Sequence, residues 1–184
     1  MKKYIILYDE QHTKGKLHRI QAIKDFEDVH KGDIGGYIEN ESNLSQNGTC
    51  WVYDNAIVNN KAKITNNAIV KDNAHVFGFA KVKHNAIISG SSEVFETAII
   101  KHNAIIEQHA CIYGESVIKD SVLITNNAEV FGDSILSGHT IVADNAKIGG
   151  KANIDGNIII KGNTCISGKT KLKGKYIIQN EYLN

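Results

Sequence analysis

The chain of 184 residues contains no proline at all. Proline would delete a ladder hydrogen bond in any strand paired on both sides, so its absence fits a long, fully paired sheet. It has little excess charge, +1 with histidine neutral. That balance excludes a strongly basic binder of extended nucleic acid and an acidic nucleic-acid mimic. No apolar run approaches the ~20 residues that span a bilayer, and the longest early run, Tyr4 to Tyr8, is too short and too quickly followed by charge for a secretory segment. A soluble, cytoplasmic protein is expected. The three cysteines have no metal-ligand spacing, so no metal site is expected.

What the sequence has instead is a period of six. Stepping from Val52 by six residues reaches Val58, Ile64, Val70 and so on to Ile178, and all 22 positions are Ile, Val or Leu. Two residues before each of these sits a second series, of which 18 of 22 are Ala, Ser or Thr. Two residues after each sits a third, of which 18 of 22 are Gly, Asn or Asp, the types that tolerate a left-handed backbone. Inward positions two apart are the signature of a strand, and the third series marks a corner after each one. A coiled coil would need a period of seven. Three hexapeptides close an 18-residue triangular coil, and stacked coils pair their backbones. The fold class is all-β, a single-stranded parallel β-helix. Cys111 and Cys165, 54 residues apart, fall three coils apart, roughly 14 Å at ~4.8 Å per coil. That is too far for a disulfide, which needs Cα atoms within about 7 Å.

Residues 1–32 lack the period. Tyr4 to Glu10 and Lys16 to Ile23 flank a Gly-containing turn and read as an N-terminal β-hairpin cap, which an open solenoid end requires. Residues 33–184 read as the β-helix, regular from about 50 to 179. Ile34 is in phase with Val52, but Asn40 and Gln46 fall at the next two core positions, so Gly32 to Gly48 is expected to be a degenerate first coil.

Three outward features stand out. The residue before the core aliphatic on the first face is Trp51, Ile69, Ile87, Ile105, Leu123, Ile141, Ile159 and Ile177, apolar at every coil. The equivalent second-face line is mixed. A continuous apolar line implies a partner; the alternative is that the cap folds over part of it. Phe77, Phe95, Tyr113 and Phe131 occupy one outward position on four successive coils. They read either as a stabilising ladder or as a surface on which a ligand stacks. The hexapeptide KHNAII occurs at Lys83–Ile88 and again at Lys101–Ile106, so Lys83, Lys101 and Lys119 line up with His84 and His102 beside the first two and Asp120 next to the third. Stacked lysines favour an anion such as a phosphate; the plain alternative is a solvated edge.

The N-terminal words, LHRIQAIKDF, KGDIGGYIE, NLS and CWVYDNA, with Asp33, Gly35, Gly36, Glu39, Leu44, Ser45, Trp51, Asp54 and Ala56, resemble a family of bacterial and phage hexapeptide-repeat proteins commonly labelled acyltransferases. The resemblance runs over essentially the whole chain. It implies left-handed winding and a trimer, and it offers acyl-coenzyme A chemistry as one activity. A repeat alone does not establish chemistry. For an enzyme, a histidine base is needed, with His84 and His102 the first choices and His75, His109 and His139 behind them; coenzyme A would then be the only cofactor. No loop is extruded between Trp51 and Ile178 to build an acceptor pocket. The sequence reading therefore prefers a non-catalytic binder: a homotrimer holding a phosphorylated small molecule or nucleotide between subunits, in the phage setting a sequestering agent for counter-defence. A structural or protein-interaction rod is the third reading.

Overall fold

The computed structural model describes residues 2–184. Among them there is no α-helix, only two single 3-10 turns, Glu10–His12 and Glu41–Asn43. No helix is long and apolar enough to cross a membrane. The body is a parallel β-solenoid whose winding agrees with a left-handed β-helix.

Each hexapeptide contributes a strand of two residues, and pairing runs in steps of 18. On the first face Trp51 pairs with Ile69, Ile87, Ile105, Leu123, Ile141 and Ile159 in turn. The second face runs from Ile57 through His75, Glu93, Cys111, Glu129 and Lys147 to Cys165, with Cys111 and Cys165 three rungs apart and both free. The third runs from Lys63 through Lys81, Ile99, Val117, Ile135 and Asn153 to Lys171. Near the C-terminal end the corner between the third and first faces straightens, and two nine-residue strands, Asn153–Lys161 and Lys171–Gln179, pair along their whole length.

The aliphatic series is the core. Of its 22 members all are buried except Leu172 in the last coil, which is half-buried. Each fully buried side chain of this size contributes about 1.5–3 kcal/mol. The small series is buried with it except Thr170 and Tyr176 in the last coil, and Ser92, Ser134, Thr140 and Thr164 return their hydroxyls to a carbonyl three residues back, so no polar group is stranded. The corner series is uniform in conformation: all 22 residues have positive φ. A left-handed backbone costs a non-glycine residue about 1–2 kcal/mol. Asn and Asp reduce that cost by local hydrogen bonding. Here the bond goes along the axis, as where Asp54 accepts from the amide of Asp72 (3.1 Å) and Asp72 from that of Gly90 (2.8 Å).

The N-terminal segment differs from expectation in one respect. Strand β1 (Tyr4–Ile6) pairs antiparallel with β3 (Leu17–Ala22), as does β2 (Thr13–Lys14), and β3 pairs antiparallel with β4 (Ile34–Ile38). Strand β4 then joins the second face in parallel, Tyr37 against Ile57 and Ile38 against Val58. Ile38 and Leu44 fill the core, and Leu44 bridges to Ile64. Ile34 is 42% exposed, Asn40 caps the second 3-10 turn, and Gln46 binds the backbone of Lys3 and Tyr4. The first coil is therefore not degenerate. It is intact but displaced by two residues, and the slip is taken up between Ser45 and Cys50.

That slip is pinned from within. Lys3, 1% exposed, donates to the carbonyl oxygens of Cys50 (2.7 Å) and Gly48 (3.2 Å), and its ammonium lies 3.3 Å from the Cys50 thiol. Burial lowers the Lys3 pKa and raises that of Cys50.

Candidate functional site

The chemistry concentrates on the corner between the third and first faces. There the outward line before the left-handed residue is Thr65, Lys83, Lys101, Lys119 and Ser137, and the left-handed residues are Asn66, His84, His102, Asp120 and Gly138. The structure brings Lys83, Lys101 and Lys119 onto successive coils, all half-buried along their stems. Among the described residues none of the three forms an ion pair with a carboxylate.

The two histidines take the place of the usual Asn or Asp. Their φ values are both 61°, and their rings lie 5.0 Å apart, tilted by 44°. Each is held differently. His84 Nδ1 accepts from the His102 amide (3.4 Å), so its ring proton is on Nε2 and points outward as a donor. His102 Nδ1 lies 2.8 Å from Asp120 Oδ1 and 3.3 Å from the Asp120 amide. Nδ1 is within reach of both groups: it either donates to the carboxylate, which leaves Nε2 bare, or accepts from the amide. Burial opposes ionisation of Asp120, but hydrogen bonds from His102 and the Gly138 amide, with the nearby charge of Lys119, hold its carboxyl below the usual value. The His84 pKa is lowered by partial desolvation and by the charges of His102, Lys83 and Lys101. Next along the chain, Asn67, Asn85 and Asn103 form an amide ladder, Nδ2 to Oδ1 at 3.1 Å in both steps.

At the lower end of this corner lies a cavity of about 480 Å³, bordered by the Ser45–Gly48 slip on one side and by Thr65, Asn66, Asn67, His84 and Asn85 on the other. The expectation of no pocket rests on the absence of an extruded loop after Trp51, and the structure differs. The pocket comes from the two extra residues before it, and the eight-residue spacing from Leu44 to Val52 is the signal that pointed there.

The other expected features resolve as follows. Phe77, Phe95, Tyr113 and Phe131 stack at 4.8, 5.1 and 5.3 Å, within 10° of parallel. His75 covers Phe77 at 4.3 Å, and at the other end the Phe131 ring occupies the space where a side chain of residue 149 would begin, which Gly149 leaves open. Ring faces are turned to one another and ring edges to solvent, the arrangement of a ladder. On the first face, Ile69, Ile87, Ile105, Leu123, Ile141 and Ile159 are half-buried by mutual stacking, and Ile177 is 69% exposed. Trp51 departs from the expected interface: it is buried beneath the cap, edge-on to Phe26 (5.4 Å) and Tyr4 (6.1 Å). The cap thus takes one rung of the stripe and leaves the rest. His109 and His139 are exposed corner residues on other coils, and His75 belongs to the aromatic ladder.

No family model matches the chain. Over 63 residues it is 48% identical to an uncharacterized acetyltransferase, YdcK, of Escherichia coli (strain K12). The match takes in 33% of this chain and 19% of that relative. Together with the coil, it bears out the resemblance to hexapeptide-repeat proteins of the acyltransferase-labelled kind.

Proposed function

We propose that the protein is an acyltransferase that moves an acyl group from acyl-coenzyme A to a hydroxyl or amine acceptor, with His102 as general base. The observation that carries this reading is the 2.8 Å contact between His102 Nδ1 and Asp120 Oδ1. A carboxylate that fixes the tautomer and leaves Nε2 free is what proton abstraction needs.

In this reading the acceptor proton passes to His102 Nε2 as the acceptor oxygen or nitrogen attacks the thioester carbon. The carbon–sulfur bond breaks, and the proton is returned to the departing thiolate. The developing imidazolium is stabilised by the ionised Asp120. His84, an Nε2–H donor whose ring lies tilted beside the base, is suited to the carbonyl oxygen as charge develops on it. Lys83, Lys101 and Lys119 supply the positive line for the phosphates of coenzyme A. The corner borders the isoleucine stripe, and a homotrimer built on Ile69 to Ile159 would enclose it. The acetyltransferase label of the E. coli relative supports the same reaction class.

The test is to incubate the protein with acetyl-coenzyme A and a fractionated pool of small-molecule hydroxyl and amine acceptors. Released thiol is followed by colour reagent and the acetylated product by mass spectrometry. Wild type should give both, and His102→Gln should lower the rate at least a hundredfold at unchanged coenzyme A binding. Coenzyme A or nucleotide retained intact, with no turnover in any fraction, would overturn acyl transfer and return the sequestering reading prompted by the lysine line.

A further inference from the structure

The cavity at the register slip has a chemical character that the acyl-transfer reading does not use. Its wall is amide and hydroxyl: Ser45, Asn47, Thr65, Asn66 and Asn85, with the imidazole of His84 at the top. No carboxylate, lysine or arginine borders it, although lysines stand one position away at Lys83 and Lys101. A charged ligand would find no counter-ion here.

Part of the wall is spent on the fold: Asn67 and Asn85 belong to the amide ladder, Ser45 Oγ accepts from the Asn47 amide, and the Thr65 hydroxyl donates to Asn66 Oδ1. Among the described residues, the Asn47 side chain makes no hydrogen bond, and the Asn66 amide nitrogen makes none either, although Asn66 Oδ1 accepts from the His84 amide (3.3 Å). These two unpartnered amides border one space. Their neutrality matches a molecule that carries hydroxyls and no charge. The size, about 480 Å³, lies in the range of small-molecule sites.

The position is built rather than incidental. Gly48 has φ 71°, and a side chain there would run into the Asn66 backbone, so the slip can pass close to the corner only at glycine. Buried Lys3 holds the same turn by the carbonyls of Gly48 and Cys50. The two residues that break an otherwise unbroken period are thus fixed rigidly against the one corner that carries the histidines.

We infer that this bay binds a neutral polyhydroxylated molecule, a carbohydrate either free or as a glycan unit, through Asn47 and Asn66. As the acceptor of the acyl group it rests on the reading above; as a binding site it stands apart from it.

Binding is measured without any acyl donor, by saturation-transfer NMR and calorimetry. The probes are a panel of neutral mono- and oligosaccharides and their uronic-acid and amino-sugar counterparts. At least one neutral sugar should bind saturably, and its charged counterparts at least tenfold more weakly. Asn47→Ala should weaken that binding at least fivefold with unchanged melting, and Asn66→Gly, which keeps the left-handed backbone but removes the acceptor of the His84 amide, at least tenfold. The oligosaccharide arm separates a glycan unit from a free sugar. Absence of saturable neutral-sugar binding overturns the inference, and so does binding that both variants leave intact. Sugar binding without acyl transfer would sink the reaction and leave the bay. Transfer to a charged acceptor with no sugar binding would sink the bay and leave the reaction.

Discussion

The aromatic ladder yields a difference that can be measured within one series. Phe95 has a ring on each side, at 4.8 and 5.1 Å, whereas Phe131 has one, at 5.3 Å, and the glycine backbone on its other side. Truncating a fully buried Phe to Ala costs about 3–5 kcal/mol. These rings are half-buried, so about half of that applies. Each parallel contact adds about 0.5–1.5 kcal/mol beyond area. Phe95→Ala should therefore cost about 3–4 kcal/mol, and Phe131→Ala about 1 kcal/mol less. Urea unfolding followed by circular dichroism and by tyrosine emission reports both, the second probe checking that the coils still unfold together. Phe95→Leu should recover part of the loss by area alone. If Phe95→Ala costs under about 0.5 kcal/mol, or costs no more than Phe131→Ala, the rings are not stabilising one another. A ligand-stacking surface would then be the better account.

Further predictions follow from other parts of the molecule. Lys3→Met removes the ammonium that satisfies the Gly48 and Cys50 carbonyls, at about 2–4 kcal/mol; an unchanged urea midpoint would refute its role as the pin of the slip. Ile105→Glu places a charge mid-stripe and should reduce the sedimenting mass to that of one chain, while a variant that stays assembled, or a wild type that is already monomeric, contradicts the interface. The folded-state pKa of His84 is lowered, so the folded protein binds fewer protons than the unfolded chain below the ordinary imidazole value. His84 therefore has no effect on stability above that value and destabilises progressively as pH falls through it. Its NMR midpoint should lie below the ordinary value and rise in Lys83→Ala combined with Lys101→Ala; a midpoint that does not move rules out the lysines as its cause.

Legibility in the sequence follows the range of the interactions. The core series is set by local alternation and appears at every one of its positions from Val52 on. The corner series is equally regular in conformation but not in composition. His84, Glu96, His102 and Gln108 adopt the left-handed backbone without being Gly, Asn or Asp, because stacking and axial hydrogen bonds from neighbouring coils offset the cost. The first coil was misplaced because the period was carried back from Val52 to Ile34, whereas Ile38 and Leu44 keep their own spacing of six and the slip falls after them. Trp51 looked like its stripe partners because burial by Phe26 and Tyr4 is a contact across 25 residues and more. The repeat put His84 and His102 side by side, but two copies of one hexapeptide cannot show that their imidazoles differ. That difference depends on which residue sits one coil further on, His102 in one case and Asp120 in the other.

Opposite tautomers on neighbouring histidines are the premise from which His102 is assigned as the base and His84 as a donor. Long-range ¹H–¹⁵N spectra of the imidazoles at pH 8 read this directly. The account predicts His102 protonated on Nδ1 with Nε2 bare, His84 protonated on Nε2, and His102 losing its preference in Asp120→Asn. If His102 instead carries its proton on Nε2, Nδ1 is accepting the Asp120 amide like any other corner residue. The pair would then be a structural ladder without a base.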